Sequence, residues 1–218
     1  QTCALPISRD RRSFEIYVSG LARGSRELAL TRDGGQNGFP SWSPDGKWVA
    51  YHSRSRGGIW IVPATGGSPA QVASRGMSPS WSPDSEWVVY TTSEGGTAAQ
   101  STLEIVRRDG SGRRSITAQA APAGGHMSPV WSRSGRVITF IVNNGLEFTE
   151  IWATTRDGAR PWKLTNEASV GAFALGPGGR SIYYTAGQVG ARALYRVDTD
   201  PESRSEEHTS ELQSRLHL

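Results

Sequence analysis

Cysteine is nearly absent from this chain: of 218 residues only Cys3 is one. No disulfide framework and no Cys-based metal pattern can therefore be built. Histidine is scarce too, and the two away from the chain ends, His52 and His126, have no second His, Cys or carboxylate cluster at ligand spacing. No metal and no cofactor are predicted. Of 24 basic residues only Lys47 and Lys163 are lysine, a bias that GC-rich codons produce as readily as phosphate binding does. A formal net charge of +4 does not call for nucleic acid. No apolar run approaches the roughly 18 residues that a membrane-crossing helix needs, so no membrane span is expected. Neither a G-x-S-x-G elbow nor a glycine-rich phosphate loop ending in Lys-Ser/Thr occurs, which leaves hydrolase and nucleotide-binding machinery unencoded. What the chain does have is Gly 26, Pro 12 and Trp 8, a turn-rich and aromatic composition that suits many short strands.

The stretch Phe39-Pro-Ser-Trp-Ser-Pro-Asp-Gly-Lys-Trp-Val-Ala-Tyr51 recurs with decay. Anchored on Trp42, its copies stand at Trp81, Trp131 and, more weakly, Leu175. Intervals near 40 to 50 residues indicate blades or arrays. Two residues after the anchor stand Pro44, Pro83, Arg133 and Pro177, followed by Asp45-Gly46, Asp84-Ser85, Ser134-Gly135 and Gly178-Gly179. These residues tolerate positive φ and bond their own backbone, as a tight antiparallel link requires. Seven residues after the anchor comes an aliphatic (Val49, Val88, Ile138, Ile182), and nine after it an aromatic (Tyr51, Tyr90, Phe140, Tyr184). Two residues of spacing place both on one strand face.

A second landmark follows in each unit: Ile16-Tyr17-Val18, Ile59-Trp60-Ile61-Val62, Leu103-Glu104-Ile105-Val106, Ile151-Trp152-Ala153 and Leu194-Tyr195-Arg196-Val197. Turns such as Thr65-Gly66-Gly67, Asp109-Gly110 and Asp157-Gly158 then lead to a last short strand, and each unit reads as four strands, a to d. With P-x-W-S-P-D-G, then I-Y-V, then D-G, then L-T, the chain resembles the TolB-like, WD40-like β-propeller repeat family from about Phe14 to Asp198.

Both ends fall outside the repeat. Back-translated, Arg204 to Leu212 gives DNA whose reverse complement, in a shifted frame, encodes Gln1 to Ile7, and the DNA word resembles a sequencing adapter. Residues 1–8 and 204–218 are accordingly set aside from fold reasoning and expected to make few contacts. Residues 9–203 are expected to form an all-β, incomplete propeller of four-stranded antiparallel blades, an open arc of three full and two partial blades. The blade parts are 14–38, 39–76, 77–126, 127–169 and 170–203; the first supplies strands c and d only, and the last stops after c. The resemblance implies a bacterial ring of six or seven blades.

Recurrence decides how the prominent residues are read. Asp45 and Asp84 invite a metal or catalytic reading, but a residue that recurs at the equivalent place of successive units serves the unit, here as a turn cap. Trp42, Trp81 and Trp131 could stack sugars or bases, while their equal spacing fits packing between blades. Pro44, Gly46, Pro83, Gly135, Pro177 and Gly179 complete the structural motif. Arg107-Arg108 with Arg113-Arg114 is the densest basic cluster, read as a solvated rim against a phosphate site. Length variation falls on the b to c and d to a links: 93–102, 118–126, 143–149 and 187–191. Variable links on one rigid face are where a repeat scaffold carries its binding surface, and Gln100, Gln119 and His126 are the candidate partner contacts. The resemblance implies a non-catalytic, extracytoplasmic scaffold for a protein partner, either an envelope lipoprotein or a fused catalytic domain. The same repeats serve as sensor domains on bacterial kinases and transcription regulators, and as gating propellers of prolyl-oligopeptidase-like serine peptidases.

Overall fold

A computed structural model of the chain describes residues 2–7, 13–20, 22–93, 100–117, 122–144, 149–159, 161–165, 169–176, 180–187 and 192–199. Among these the protein is all β, and every sheet is a simple antiparallel meander. Three sheets have four strands: β4(Asn37–Trp42) to β5(Trp48–Ser53), β6(Ile59–Pro63) and β7(Ala70–Ala73); β8(Met77–Trp81) to β9(Trp87–Ser93), β10(Ser101–Arg107) and β11(Arg114–Ser115); and β12(Gly125–Trp131) to β13(Val137–Asn143), β14(Thr149–Thr155) and β15(Trp162–Lys163). Two have three strands, β1(Thr2–Ile7) with β2(Glu15–Gly20) and β3(Glu27–Ala29), and β16(Val170–Leu175) with β17(Ser181–Ala186) and β18(Ala193–Asp198). These are propeller blades, and no sheet closes on itself. The repeat landmarks sit as expected, with the anchor residue ending strand a in each of the four units that have one.

One expectation is overturned. Thr2–Ile7 does not stay clear of the blades; it pairs with β2 in register, from Thr2 opposite Gly20 to Ile7 opposite Glu15. The reason is the edge of β2, whose unpaired N–H and C=O groups accept any extended segment within reach. Pro6 is tolerated there because an outer strand need not donate on both sides. Residues 201–218, including the second set-aside segment, lie outside the described residues.

Proline shapes strand a. At the position before Pro40, Pro79 and Pro129, the residues Phe39, Ser78 and Ser128 all take positive φ, at 53°, 52° and 51°. Each strand slips register there, between Gly38 and Ser41, Met77 and Ser80, and Met127 and Val130. Proline has no N–H to give the ladder, so the strand bulges around it. In the fourth unit Phe173 replaces the proline, and the slip moves to Val170/Ala172.

The chain divides into two compact units, Gln1–Thr92 with Leu103–Ser115, and Ser93–Thr102 with Ile116–Leu218. In the first, sheets pack face to face through two clusters. Ile16, Val18 and Leu30 meet Val49, Tyr51 and Val62, with Trp42 against them; Ala50, Ile59, Ile61, Val72 and Ala73 meet Trp81, Val88, Tyr90 and Val106. Val49 and Tyr51 point one way and Ala50 the other, as period-2 alternation demands. The second unit repeats the arrangement, with Val137, Ile151, Ala153 and Leu164 against Val170, Ile182, Tyr184 and Ala186.

Candidate functional site

The two ends of the strands differ, and the difference begins in the Ser-Pro-Asp-Gly turn. Ser43 is buried, and its Oγ donates to Asp45 Oδ1 at 2.5 Å while accepting Trp48 N–H at 2.9 Å. Asp45 Oδ1 also accepts Lys47 N–H at 3.0 Å, and Gly46 N–H closes the turn on the Ser43 carbonyl at 2.9 Å. Pro44 at the second turn position and Gly46 at the fourth are the residues a type I turn prefers. The second copy matches bond for bond: Ser82 Oγ donates to Asp84 Oδ1 and accepts Trp87 N–H at 2.9 Å, and Glu86 N–H reaches Asp84 Oδ1 at 3.0 Å. In the third, Val137 N–H reaches Ser132 Oγ at 3.1 Å, and Ser134 Oγ stands 3.1 Å from that of Ser132 in the aspartate's place. Gly46, Ser85 and Gly135 take φ of 71°, 60° and 71°. Burial pushes the Asp45 carboxyl up, but the Ser43 hydroxyl, the Lys47 amide and nearby cations more than offset it and hold it below the usual carboxylate range. The aspartates therefore cap turns. Pro177 and Gly179 of the fourth copy lie outside the described residues.

The serine after the anchor was missed at the sequence level. Its signal was its recurrence, Trp42-Ser43, Trp81-Ser82 and Trp131-Ser132, which the aspartates overshadowed. Ser82→Ala should cost about 1–2 kcal/mol, because the buried Trp87 N–H and the Asp84 carboxylate each lose a partner. Chemical denaturation of the variant against Asp84→Asn checks this, and an unchanged midpoint would remove the serine's role.

At the opposite ends of the strands the chain spends its polar side chains on holding links in place. Ile16 N–H bonds Thr31 Oγ1 at 2.9 Å and, in the second unit, Ile151 N–H bonds Thr165 Oγ1 at 3.1 Å. Asn37, fully buried, extends Nδ2 to Thr31 Oγ1 and Glu15 Oε2 at 3.1 Å each and to Asp33 Oδ1 at 2.8 Å. Five residues before the next anchors, the same repeat position holds Gly76 and then His126.

That equivalence corrects the reading of His126 as a surface contact. It is fully buried, with Nδ1 2.7 Å from Thr117 Oγ1, Nε2 2.8 Å from the Pro122 carbonyl, and its ring edge-on to Phe140 at 5.3 Å. A carbonyl only accepts, so Nε2 carries the proton and Nδ1 accepts from Thr117. Burial holds its pKa below the usual histidine value, with the Pro122 bond pulling the other way. His126 does for its link what Asn37 does one repeat earlier. Of the other two candidates, Gln100 is exposed, and Gln119 lies outside the described residues.

Next to Asn37 a cleft of about 360 Å³ opens, lined by Leu30, Thr31, Arg32, Asp33, Arg56 and Pro69 among others. Arg56 is tied to Asp33 and lies over the Trp60 ring at 3.3 Å. Two guanidiniums and a carboxylate on its wall fit it to polar side chains. Among the described residues no three His, Cys, Asp or Glu side chains converge on a metal-sized site, and no helix is long and apolar enough to cross a membrane.

The link lengths separate the two sides numerically. All four a to b links are five residues long (43–47, 82–86, 132–136, 176–180), and all four c to d links are six (21–26, 64–69, 108–113, 156–161). The b to c links run from five to seven residues, and the d to a links from three (74–76) to nine (116–124).

Comparison with known proteins agrees with this geometry. No curated protein matches the chain. Among solved structures it resembles TolB from Acinetobacter baumannii, at TM-score 0.72 and 17% identity over 90% of this chain and 50% of that one. It also resembles an oligogalacturonate lyase in complex with manganese, at 0.72 and 15% over 93% and 60%. A third likeness is to a prolyl endopeptidase, at 0.65 and 14% over 91% and 33%. The chain thus spans about half the length of the TolB structure, and the three share its fold. The TolB beta propeller domain matches residues 7–215, nearly the whole sequence, so the chain belongs to the TolB β-propeller family.

Proposed function

We propose that this chain is a non-catalytic protein-binding scaffold of the TolB type, working outside the cytoplasm, with an envelope lipoprotein or a fused catalytic domain as its partner. The observation that carries the reading is the contrast in link lengths: five residues at every a to b turn and six at every c to d turn, against three to nine at the d to a links. Selection for folding alone would hold all four connections equally, whereas a recognition surface needs diversity on a fixed frame. Gln100, which is exposed, is the proposed contact on that face; His126 is buried and is not one.

Shortening residues 93–102 and 118–126 should abolish partner capture, while Asp45→Asn with Asp84→Asn should leave it intact in folded protein. Capture that survives the shortening but fails in the aspartate variant would place the binding face on the opposite side.

A second reading is supported by the likeness to a prolyl endopeptidase: a propeller that gates access to an adjoining peptidase. The gene discriminates, since a G-x-S-x-G elbow encoded in frame with this chain would favour gating. A fused kinase or winged-helix domain would instead indicate a sensor.

A further inference from the structure

Large apolar side chains that the fold leaves exposed are few, and they are not scattered. Among the described residues they are Phe14, Leu28, Phe39 and Met77, at 48%, 39%, 57% and 47% exposed. Leu28 sits on the edge strand β3, whereas the other three stand at one end of the first compact unit. Phe14 comes just before β2, a c strand; Phe39 lies near the start of β4 and Met77 opens β8, both a strands. In an antiparallel meander a and c strands start on the same side, here the side of the b to c and d to a links. The Asn37 N–H reaches the Phe14 carbonyl at 2.8 Å, and β4 lies beside β8 through the bond from Trp81 Nε1 to the Ser41 carbonyl at 3.0 Å. The three residues therefore share one end of neighbouring strands.

Phe39 departs from the repeat at a position where an aromatic is the harder choice. The residue before the strand a proline is serine in the next two units, and Phe39, Ser78 and Ser128 share positive φ of 53°, 52° and 51°. A bulky side chain rarely takes that conformation, and strain of this kind collects where a chain meets a ligand. Burial does not offset it, because the ring is the most exposed of the four and only leans on His52, with ring centroids 6.3 Å apart. The charges at this end are sorted. Arg32, on a d to a link, and Arg54, on a b to c link, are exposed and form no ion pair among the described residues. Arg54 N–H bonds the Gln36 carbonyl at 3.3 Å, which puts its link beside strand a. The carboxylates near them are engaged: Glu15 accepts Gly34 N–H at 2.6 Å and Asn37 Nδ2 at 3.1 Å, while Asp33 accepts Gly35 N–H at 3.0 Å and holds Arg56.

We propose that Phe39, with Phe14 and Met77 on the strands beside it, anchors a docking surface for a protein segment that carries an apolar side chain between acidic ones. The inference rests on the protein-binding reading above and names the chemistry of its partner. An aromatic on a strand loses little rotamer freedom on binding, and methionine adapts its shape to an apolar guest. The guanidiniums of Arg32 and Arg54 suit carboxylates at the rim and steer their approach. An acidic oligosaccharide is the poorer occupant, because a sugar ring covers one flat aromatic face and leaves Phe14 and Met77 unused.

The test uses the whole chain and a fluorescein-labelled peptide with one tryptophan between pairs of glutamates, followed by anisotropy. The same peptide with glycine for tryptophan, one with lysine for glutamate, and a short oligogalacturonate as competitor are run alongside. The tryptophan peptide should bind, more weakly as salt rises, and each altered peptide should bind about fivefold more weakly or worse. Phe39→Ser is the decisive variant, because serine fills this position in the next two units at nearly the same φ. It should weaken binding by about fivefold or more, with a urea midpoint equal to or above that of the unaltered chain, since strain is relieved. Arg32→Gln with Arg54→Gln should reduce the salt dependence, and Leu28→Ser should leave binding unchanged. A lowered midpoint in Phe39→Ser makes the ring a structural residue and overturns the proposal. So does unchanged binding in that variant, an equal loss in Leu28→Ser, a salt dependence untouched by the arginine pair, or no binding of the tryptophan peptide. Displacement by the oligogalacturonate as effective as by unlabelled peptide overturns it in favour of a sugar site. Partner capture that survives Phe39→Ser but fails on shortening residues 93–102 and 118–126 overturns the anchor assignment and leaves the scaffold reading standing.

Discussion

Trp81→Ala is expected to destabilise the protein by about 3–5 kcal/mol, the range for deleting a buried aromatic. The indole is 5% exposed, packs among Ala50, Ile59, Ile61, Val72, Ala73, Val88, Tyr90 and Val106, and donates its Nε1–H to the Ser41 carbonyl of the preceding sheet at 3.0 Å. It joins two sheets by both packing and a hydrogen bond. Trp81→Phe keeps much of the ring but strands the Ser41 carbonyl, and should cost about 1–2 kcal/mol. Phe39→Ala, at a ring 57% exposed, should cost under about 0.5 kcal/mol. Urea unfolding followed by circular dichroism ranks the three. A Trp81→Ala variant within experimental error of the parent would mean that the anchor tryptophan is a surface platform, and the sugar- or base-stacking reading would return.

Mild acid should weaken the fold through His126. Burial holds its folded pKa below the unfolded value of about 6.5. Between those two values the unfolded chain binds more protons than the folded one, so stability falls as pH is lowered through that window. Above about pH 6.5 both states are neutral and the penalty vanishes; below the folded pKa both are charged and it stops growing. The half-buried His52, also lowered, by burial and then by Arg54, adds in the same direction. Asp45 and Glu150 do not confuse the readout, because for each of them stabilising bonds outweigh the burial that raises the pKa, so they stay ionised until more acid conditions. The melting temperature should therefore drop by several degrees between pH 7 and pH 5. His126→Asn should flatten that drop, since asparagine fills the equivalent position at Asn37 and still meets the threonine at the end of strand d. A pH profile of the variant parallel to that of the parent would contradict this assignment.

The repeat was legible in the sequence because it rests on local chemistry. Trp42, Pro44, Asp45 and Gly46 specify a turn through bonds made within six residues, and the Val49/Tyr51 spacing specifies a face, so strand order and the a to b side followed from spacing alone. The buried serines 43, 82 and 132 were within reach of the same reasoning, but serine is common and its bonds are silent in composition. What the sequence could not decide lay in contacts between residues far apart in the chain. His126 looked like a polar residue on a variable link, and only the approach of Thr117, Pro122 and Phe140 turned it inward. Thr2–Ile7 carries no repeat signature, yet the open edge of β2 draws it into a ladder, because backbone pairing does not depend on side-chain pattern. Glu104 stood in plain view within the c-strand landmark; that Arg75, 29 positions earlier, and Arg113 meet at its carboxylate is a consequence of how links from two sheets come together, which spacing along one chain does not encode.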